Sequence, residues 1–258
     1  MNDQYQPIPI SVCVLAKNCE TKIERCLKPL TAFDDVLVLD TGSTDRTLDI
    51  IASFSNVRVF YQNGISNFGE TRNFITEKAK YDWVLHIDSD EFITLEFLEE
   101  IRNLVLDANT VYSIHRRMFY RGYSLPPFDA KSCRLYHRRT TSWTTRAVHE
   151  IIDVREGMTS RPIKAIIEHH SYDSVKQLID KAQYYSTLFA EQFHEETKTC
   201  LWSPFLHGVG SFLKFYILRG AIFYGYPGYL FSFCFSVGSF LKYAKLLEYK
   251  KISDSNRK

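Results

Sequence analysis

The sequence predicts an α/β fold on a mostly parallel sheet, and three observations predict it. Short apolar runs alternate with helical patterns between residues 10 and 90, as repeated βαβ units require. The first run, Ile10–Ala16, reads as a strand buried on both faces, the mark of a sheet covered by helices on either side. The runs at Ile10, Val36 and Trp83 each end on polar residues, and in open α/β sheets ligands bind at the carboxyl ends of strands.

The elements follow in order. After the first strand, Glu20 to Leu30 carries a helical pattern ended near Pro29. Val36–Leu39 is the second strand, closed by Asp40 and the turn Thr41-Gly42-Ser43-Thr44. Thr44 or Asp45 can cap the helix through Leu48, Ile51 and Ala52. Val57–Phe60 is the third strand, Phe68–Ala79 a helix and Trp83–Ile87 the fourth strand. Within that strand His86 is expected as a packed core histidine. Thr94–Leu106 is an amphipathic helix with apolar residues at 95, 98, 101, 104 and 105. An antiparallel extension is expected from Val111–Tyr120, Ser132–His137 and Ala147–Val154, closed by Ile163–Ile167 and followed by a long helix over Asp173–Glu195.

At 45% hydrophobic and 24% charged residues the chain of 258 is globular, and disorder and coiled coil are excluded. The net charge of +2 hides an imbalance: residues 1–110 hold 18 acids and 10 bases, residues 111–258 hold 12 and 22. The six cysteines form no C-x-x-C pair, so they read as free thiols in a reducing cytoplasm. Met1–Pro9 does not read as a cleavable leader.

From Leu201 to Leu247 the chain is dense in aromatics, with four bases and no acid. Gly220–Leu241 is long enough to span a bilayer, but Gly225, Pro227 and Gly228 would break it near its start. Two helices joined at Gly225–Gly228 are expected instead, lying in a membrane interface or packed on the protein.

Polar strand ends gather Lys17 and Asn18, then Asp40, Gly42, Ser43 and Asp45, then Asp88, Ser89, Asp90 and Glu91. Carboxylates crowded without partners repel, and a divalent cation holding a diphosphate satisfies them. Neither a P-loop nor a G-x-G-x-x-G follows the first strand, which argues against a nucleotidyltransferase.

Val36-Leu-Val-Leu-Asp-Thr-Gly-Ser-Thr-Asp-Arg-Thr47 and Asp88-Ser-Asp-Glu91 resemble the family 2 glycosyltransferases. Ala16-Lys-Asn18, Phe68-Gly-Glu-Thr-Arg-Asn73 and Val148-His-Glu150 look like the branch containing lipopolysaccharide core β-1,4-glucosyltransferases. The resemblance implies a GT-A nucleotide-sugar-binding fold over residues 1–195, with a donor half at about 8–110 and an acceptor half at about 111–195, and a membrane-association segment over 196–258. It implies an inverting, metal-dependent transfer of a hexose, glucose from UDP-glucose, onto an anionic lipid-linked acceptor such as lipopolysaccharide core. The enzyme would sit peripherally at the inner face of the cytoplasmic membrane. Alternatives are a capsule or polyprenyl-linked acceptor, or a non-catalytic module that binds nucleotide sugar.

Residue by residue, Asp40 would bond the base or ribose of the nucleotide, with Lys17, Asn18, Ser43, Asp45 and Ser89 nearby. Arg72 would reach the diphosphate or sugar, and Asn73 a sugar hydroxyl. Asp90 would contact Mg2+ or Mn2+ directly, and Asp88 the ribose or a metal-bound water. Glu150 would be the catalytic base, Asp129 the alternative and Asp153 a distant third. Many relatives carry Glu where this chain has Cys19, which leaves an acid's role there open. Between His115 and Arg146 lie eight bases and one acid. Arg134, Arg138, Trp143 and His149 are the expected acceptor contacts. Nucleic acid is not expected as a partner, because no nucleic-acid motif accompanies the charge.

Overall fold

The structure, a computed structural model, describes residues 8–64, 67–145 and 151–256, with side-chain burial through residue 251. The chain divides into two units, residues 8–117 with 130–169, and 118–129 with 170–256. The expected boundary at residue 195 falls inside the second.

In the first unit, β1 (Ile10–Ala16), α1 (Ile23–Leu27), β2 (Val36–Asp40), α2 (Thr47–Ile51), β3 (Val57–Tyr61), α3 (Phe68–Glu77) and β4 (Trp83–Asp88) alternate as the sequence predicts. There follow β5 (Glu91–Ile93), α4 (Leu95–Arg102), β6 (Thr110–Tyr120), then β8 (Ala130–His137) and β9 (Thr159–His169). A further strand, β7 (Tyr123–Ser124), belongs to the second unit. The strand order is β3-β2-β1-β4-β8-β6-β9-β5. The first four strands are parallel, whereas β8 runs antiparallel to both β4 and β6.

Every residue of β1 and β2 is buried. Alternation sends Val12, Val14, Val36 and Val38 to the face covered by Ile23, Leu27 and Ile51 of α1 and α2. It sends Cys13, Leu15, Leu37 and Leu39 to the face covered by Ile75 of α3. Each such aliphatic side chain contributes about 1.5–3 kcal/mol of burial, and two covered faces explain the unbroken apolar runs. Register then places the strand ends: Ala16 pairs with Asp40 and Leu15 with Asp88. The polar residues that follow β1, β2 and β4 therefore leave the sheet side by side.

Two expectations for this unit need correction, and one strand was not foreseen. The helix over Glu20–Leu30 is only five residues long, because Pro29 opens a 3₁₀ turn over Lys28–Ala32. Ala147–Val154 is not a strand as far as it is described: Ile152 makes one bridge, to Trp143. The short strand β5 was not expected, since three residues after a turn carry no readable period.

The second unit holds the hairpin between the end of β6 and β7, turned at Arg121 and Gly122 with φ of 48° and 87°. Its helices are α5 (Val175–Phe193), α6 (Ser203–Leu213) and α7 (Gly225–Asn256). Met118, Tyr120, Leu125, Phe128, Leu178, Phe231 and Cys234 form its core. The joint expected at Gly225–Gly228 lies a few residues earlier, at Arg219–Tyr224. Pro227 sits in the first turn of α7, where its missing N–H costs nothing. Gly228 is inside the helix, because a Cβ there would lie 2.0 Å from the Ala221 carbonyl oxygen.

At the amino ends of the parallel strands, buried Asp35 accepts from Ser11 Oγ, the Lys80 N–H and Arg58 Nη2 at 2.5, 2.8 and 2.7 Å. Asp35→Ala is expected to cost about 2–4 kcal/mol, because it strands buried donors without an acceptor. Urea unfolding monitored by circular dichroism measures the loss.

Candidate active site

The loops after β1 and β2 are stapled to each other. The Asn18 N–H donates to Ser43 Oγ (2.9 Å), the Thr44 N–H to Asn18 Oδ1 (2.8 Å) and the Cys19 N–H to Thr47 Oγ1 (2.8 Å). The Glu20 N–H donates to Asp45 and the Arg46 N–H to Glu20. Asn18 adopts φ 47°, a left-handed conformation that asparagine tolerates better than most residues. Asp40, 3% exposed, turns its carboxylate onto the Gly42 and Ser43 N–H groups, both at 3.1 Å. Lys17 is exposed beside this loop. Asn18, Ser43, Asp45 and Asp40 thus all shape one loop pair, and Asp40 and Asp45 act there as turn acceptors.

Below the end of β4, Asp88 is held by two arginines. Arg72 Nη2 of α3 donates to Asp88 Oδ1 at 2.6 Å, and Arg134 Nη2 of β8 to Oδ2 at 3.1 Å. The two guanidinium groups also lie 4.9 and 5.5 Å from the Trp143 ring, at cation–π distance. Burial alone would raise the Asp88 carboxyl, but Arg134 and Arg72 hold it well below the usual carboxylate range. The Asp88 N–H donates to buried Glu91 at 3.0 Å, and Glu91 also accepts from Arg116 at 3.0 Å. The Asp88–Glu91 turn is thus braced at both ends.

Beside the clamp, Thr76 Oγ1 donates to the Arg72 carbonyl at 2.7 Å. Its hydroxyl is left to accept from Tyr136 and from His86 Nε2, each at 2.9 Å. Burial, then Arg72 and Arg134, push His86 well below the usual histidine range. It is a neutral core residue, stacked on Tyr136.

Asp90 points elsewhere. Its Oδ1 lies 3.6 Å from His169 Nε2, with the side chains 22% and 14% exposed. Sequence reasoning missed His169; the available signal was a histidine pair ending a strand, His169-His170. Among the described residues no group of three or more His, Cys, Asp and Glu gathers to hold a metal. A carboxylate and an imidazole side by side suit a divalent ion that takes its other ligands from phosphate and water. Asp88, expected at the ribose or a metal-bound water, is engaged by two guanidinium groups. Ser89 lies between the two acids, half-buried.

The Phe68–Asn73 segment docks the chain around Trp143. Asn73 Nδ2 donates to the Trp143 carbonyl and Asn73 Oδ1 accepts its N–H, both at 3.0 Å. Asn67 Nδ2 donates to the Thr145 carbonyl at 2.6 Å. Gly69 lies so close that a Cβ would fall 1.9 Å from the Thr144 oxygen. The Thr144 N–H donates to the Ile151 carbonyl at 2.8 Å.

Several assignments are corrected by these contacts. Asn73 commits one donor and one acceptor of its amide to the Trp143 backbone, which fixes it as a docking residue and not the free sugar contact that was expected. Arg72 and Arg134 are 3% and 6% exposed and face Asp88. Trp143 is 4% exposed and offers no face for a sugar to stack on. Arg138 pairs with Asp82, before the start of β4 and so at the opposite end of the strand from Asp88. Asp129 lies in the second unit, where it accepts the Met118 N–H at 3.0 Å. The Asp153 carboxylate lies 3.5 Å from Arg155 Nε. His149 and Glu150 lie outside the described residues.

Residues 11–166 match the sequence model of Glycosyl transferase family 2, and the chain belongs to that family. With the topology above, its sheet unit has the GT-A fold and the protein is a glycosyltransferase. The chain is 29% identical over 255 residues to an uncharacterized glycosyltransferase of Rickettsia prowazekii (strain Madrid E), covering 92% of this chain and 86% of that one. It is 25% identical over 256 residues to the lipopolysaccharide core biosynthesis glycosyltransferase LpsC of Rhizobium meliloti (strain 1021), covering 93% of each. Among solved structures it is similar to S. aureus TarS in complex with UDP, with a TM-score of 0.48, 16% identity and 90% of each chain covered.

Three predictions test the geometry. The native state keeps His86 unprotonated where the unfolded chain takes a proton, so stability should start to fall below about pH 6.5. The Asp88 contribution, complete above about pH 4, is lost as pH drops toward its depressed native value. Asp88→Asn should abolish that second fall and cost on the order of 3–5 kcal/mol at neutral pH, because two buried guanidinium groups lose their carboxylate; denaturant midpoints across pH measure both. Gly69→Ala should lose about 1–3 kcal/mol by overpacking against Thr144, whereas Glu70→Ala on the exposed side should leave thermal melting unchanged.

Proposed function

We propose that the protein is an inverting, metal-dependent hexosyltransferase that moves glucose from UDP-glucose onto an anionic lipid-linked acceptor of the lipopolysaccharide core type, forming a β linkage at the inner face of the cytoplasmic membrane. The observation that carries the reading is the division of labour within Asp88-Ser-Asp90. Asp88 is spent on Arg72 and Arg134, while Asp90 faces His169 beside the stapled β1 and β2 loops. An acid left out of an otherwise saturated cluster of ion pairs is suited to a ligand.

Asp90 and His169 would hold the cation, and the imidazole favours Mn2+ over Mg2+, which prefers oxygen ligands. When bound, the ion supplies Lewis-acid stabilisation of the departing diphosphate. The loop pair from Lys17 to Glu20 and Asp40 to Asp45 would receive the nucleoside. Glu150 would take the proton from the acceptor hydroxyl as that oxygen attacks the anomeric carbon from the face opposite the diphosphate. The role of Asn67, Gly69 and Asn73 is positional: they pin residues 143–145, which lead into the segment carrying Glu150. The acceptor class is supported by the similarity to LpsC, a lipopolysaccharide core biosynthesis glycosyltransferase, and by the bases of residues 201–247, a stretch that holds no acid.

Purified full-length protein, Mn2+, radiolabelled nucleotide sugars and membrane glycolipid extract test the reading. Label should enter the lipid fraction from UDP-glucose. Asp90→Ala should lower kcat/KM on the order of 100-fold or more, and Glu150→Gln should lower kcat by about 10²–10⁴ with donor binding retained. Label that stays out of lipid with every nucleotide sugar, or full activity in Asp90→Ala, overturns it.

A further inference from the structure

Helix α6 is inside out for a helix facing water. Phe205, Val209 and Leu213 of the helix, four residues apart, are 59, 42 and 50% exposed, and Leu201 before it and Ile217 after it are 76 and 51% exposed. Leu218 and Phe223, further along the chain, are 81 and 87% exposed. The opposite face is packed: Ser236 Oγ of α7 donates to the Gly208 carbonyl at 2.8 Å, and a Cβ on Gly208 would touch Phe240. An amphipathic helix ordinarily turns its apolar stripe inward, and an exposed apolar patch of this extent marks an interaction surface.

We propose that this face docks in the plane of one leaflet of an anionic lipid bilayer. Charge selects the occupant. Residues 201–247 carry four bases and no acid; Lys242 and Lys245 turn to α5, and Lys214 and Arg219 are the bases beside this face. A second copy in a two-fold contact would bring the same bases opposite one another, whereas lipid phosphates complement them. Lys214 and Arg219 are both exposed and lie 5.8 and 5.2 Å from the Phe215 ring, so their heads can reach phosphates while their stems cover apolar surface. Trp202, Tyr224 and Tyr226, all exposed, are the residue types that favour the headgroup level.

Docking is in the plane, although 221–251 has the length and composition of a span. Lys245 Nζ donates to the Gln183 carbonyl and to Thr187 Oγ1 of α5 at 2.9 and 2.6 Å, and the Tyr249 hydroxyl to Glu191 at 3.1 Å. Lys242 Nζ sits 3.4 Å from the Phe189 ring centre. A crossing α7 would break these contacts or drag the charges of α5 into hydrocarbon. Helix α6, at 11 residues, is about 16 Å long and cannot cross.

The surface takes its purpose from the lipid-linked acceptor proposed above, but its test uses neither donor nor acceptor, so either reading can fail alone. Full-length protein is floated with vesicles of phosphatidylcholine, with or without phosphatidylglycerol. It should float with the anionic vesicles and bind neutral ones on the order of tenfold more weakly. Phe205→Ser with Leu213→Ser should cut binding on the order of tenfold or more with thermal melting unchanged, and Lys214→Gln with Arg219→Gln should remove the preference for anionic lipid. Brominated lipid should quench a fluorescence component that Trp202→Phe removes. Trypsin added outside should still cut after Lys250 and Lys251 of vesicle-bound protein. No flotation with anionic vesicles overturns the proposal. So does protection of Lys250 and Lys251, which would mean a span. A dimer that Phe205→Ser with Leu213→Ser dissociates while lipid binding is unchanged overturns it as well.

Discussion

A single carboxylate, Asp88, holds the sheet unit's working end together. It joins three elements that are remote in sequence: β4, which it ends, α3 through Arg72 and β8 through Arg134. Arg72 and Arg134 have less than one tenth of their surface exposed, and taking such charges out of water costs several kcal/mol per ion. The cost is offset only when the charges meet in good geometry, as they do here. Trp143 lies against both guanidinium groups, so the same cluster fixes the start of the segment leading toward Glu150. Glu91 and Arg116 repeat the device one turn on.

This arrangement changes the meaning of the charge imbalance. Arg116, Arg134, Arg138 and Arg139 of the basic run pair with Glu91, Asp88 and Asp82 of the acidic half. Much of the opposition between halves is therefore internal neutralisation, with ion pairs closing the antiparallel strands onto the parallel ones. The bases that remain for a partner are fewer than a count suggests. The helical unit is different, since its stretch from 201 to 247 has bases but no acids at all to pair with.

The strands and the clustering of their polar ends were legible, because a sheet covered on both faces demands unbroken apolar runs and register aligns where they stop. The family was legible for a related reason: its motifs are the strand ends themselves. Asn73 and Trp143 were misread because each is the other's partner across 70 residues. An amide on a helix looks the same whether it meets a sugar or a backbone. Arg138 was misread because one residue type serves both ends of a strand, and only register tells which. His169 was overlooked because nothing local ties it to Asp90, 79 positions earlier.

By itself, the sequence determined the α/β class, the parallel core, the motif-bearing loops, the aromatic character of the last helices and the absence of acids from residues 201 to 247. These are local properties, written in periodicity and in residue types at strand ends. Only the tertiary structure decided which acid of Asp88-Ser-Asp90 is spent on arginines and which faces a histidine, and which side of α6 is left uncovered. Those outcomes depend on which distant side chains the fold brings to each charge or apolar face, and a partner's identity is set by packing in three dimensions, which no window along the chain contains.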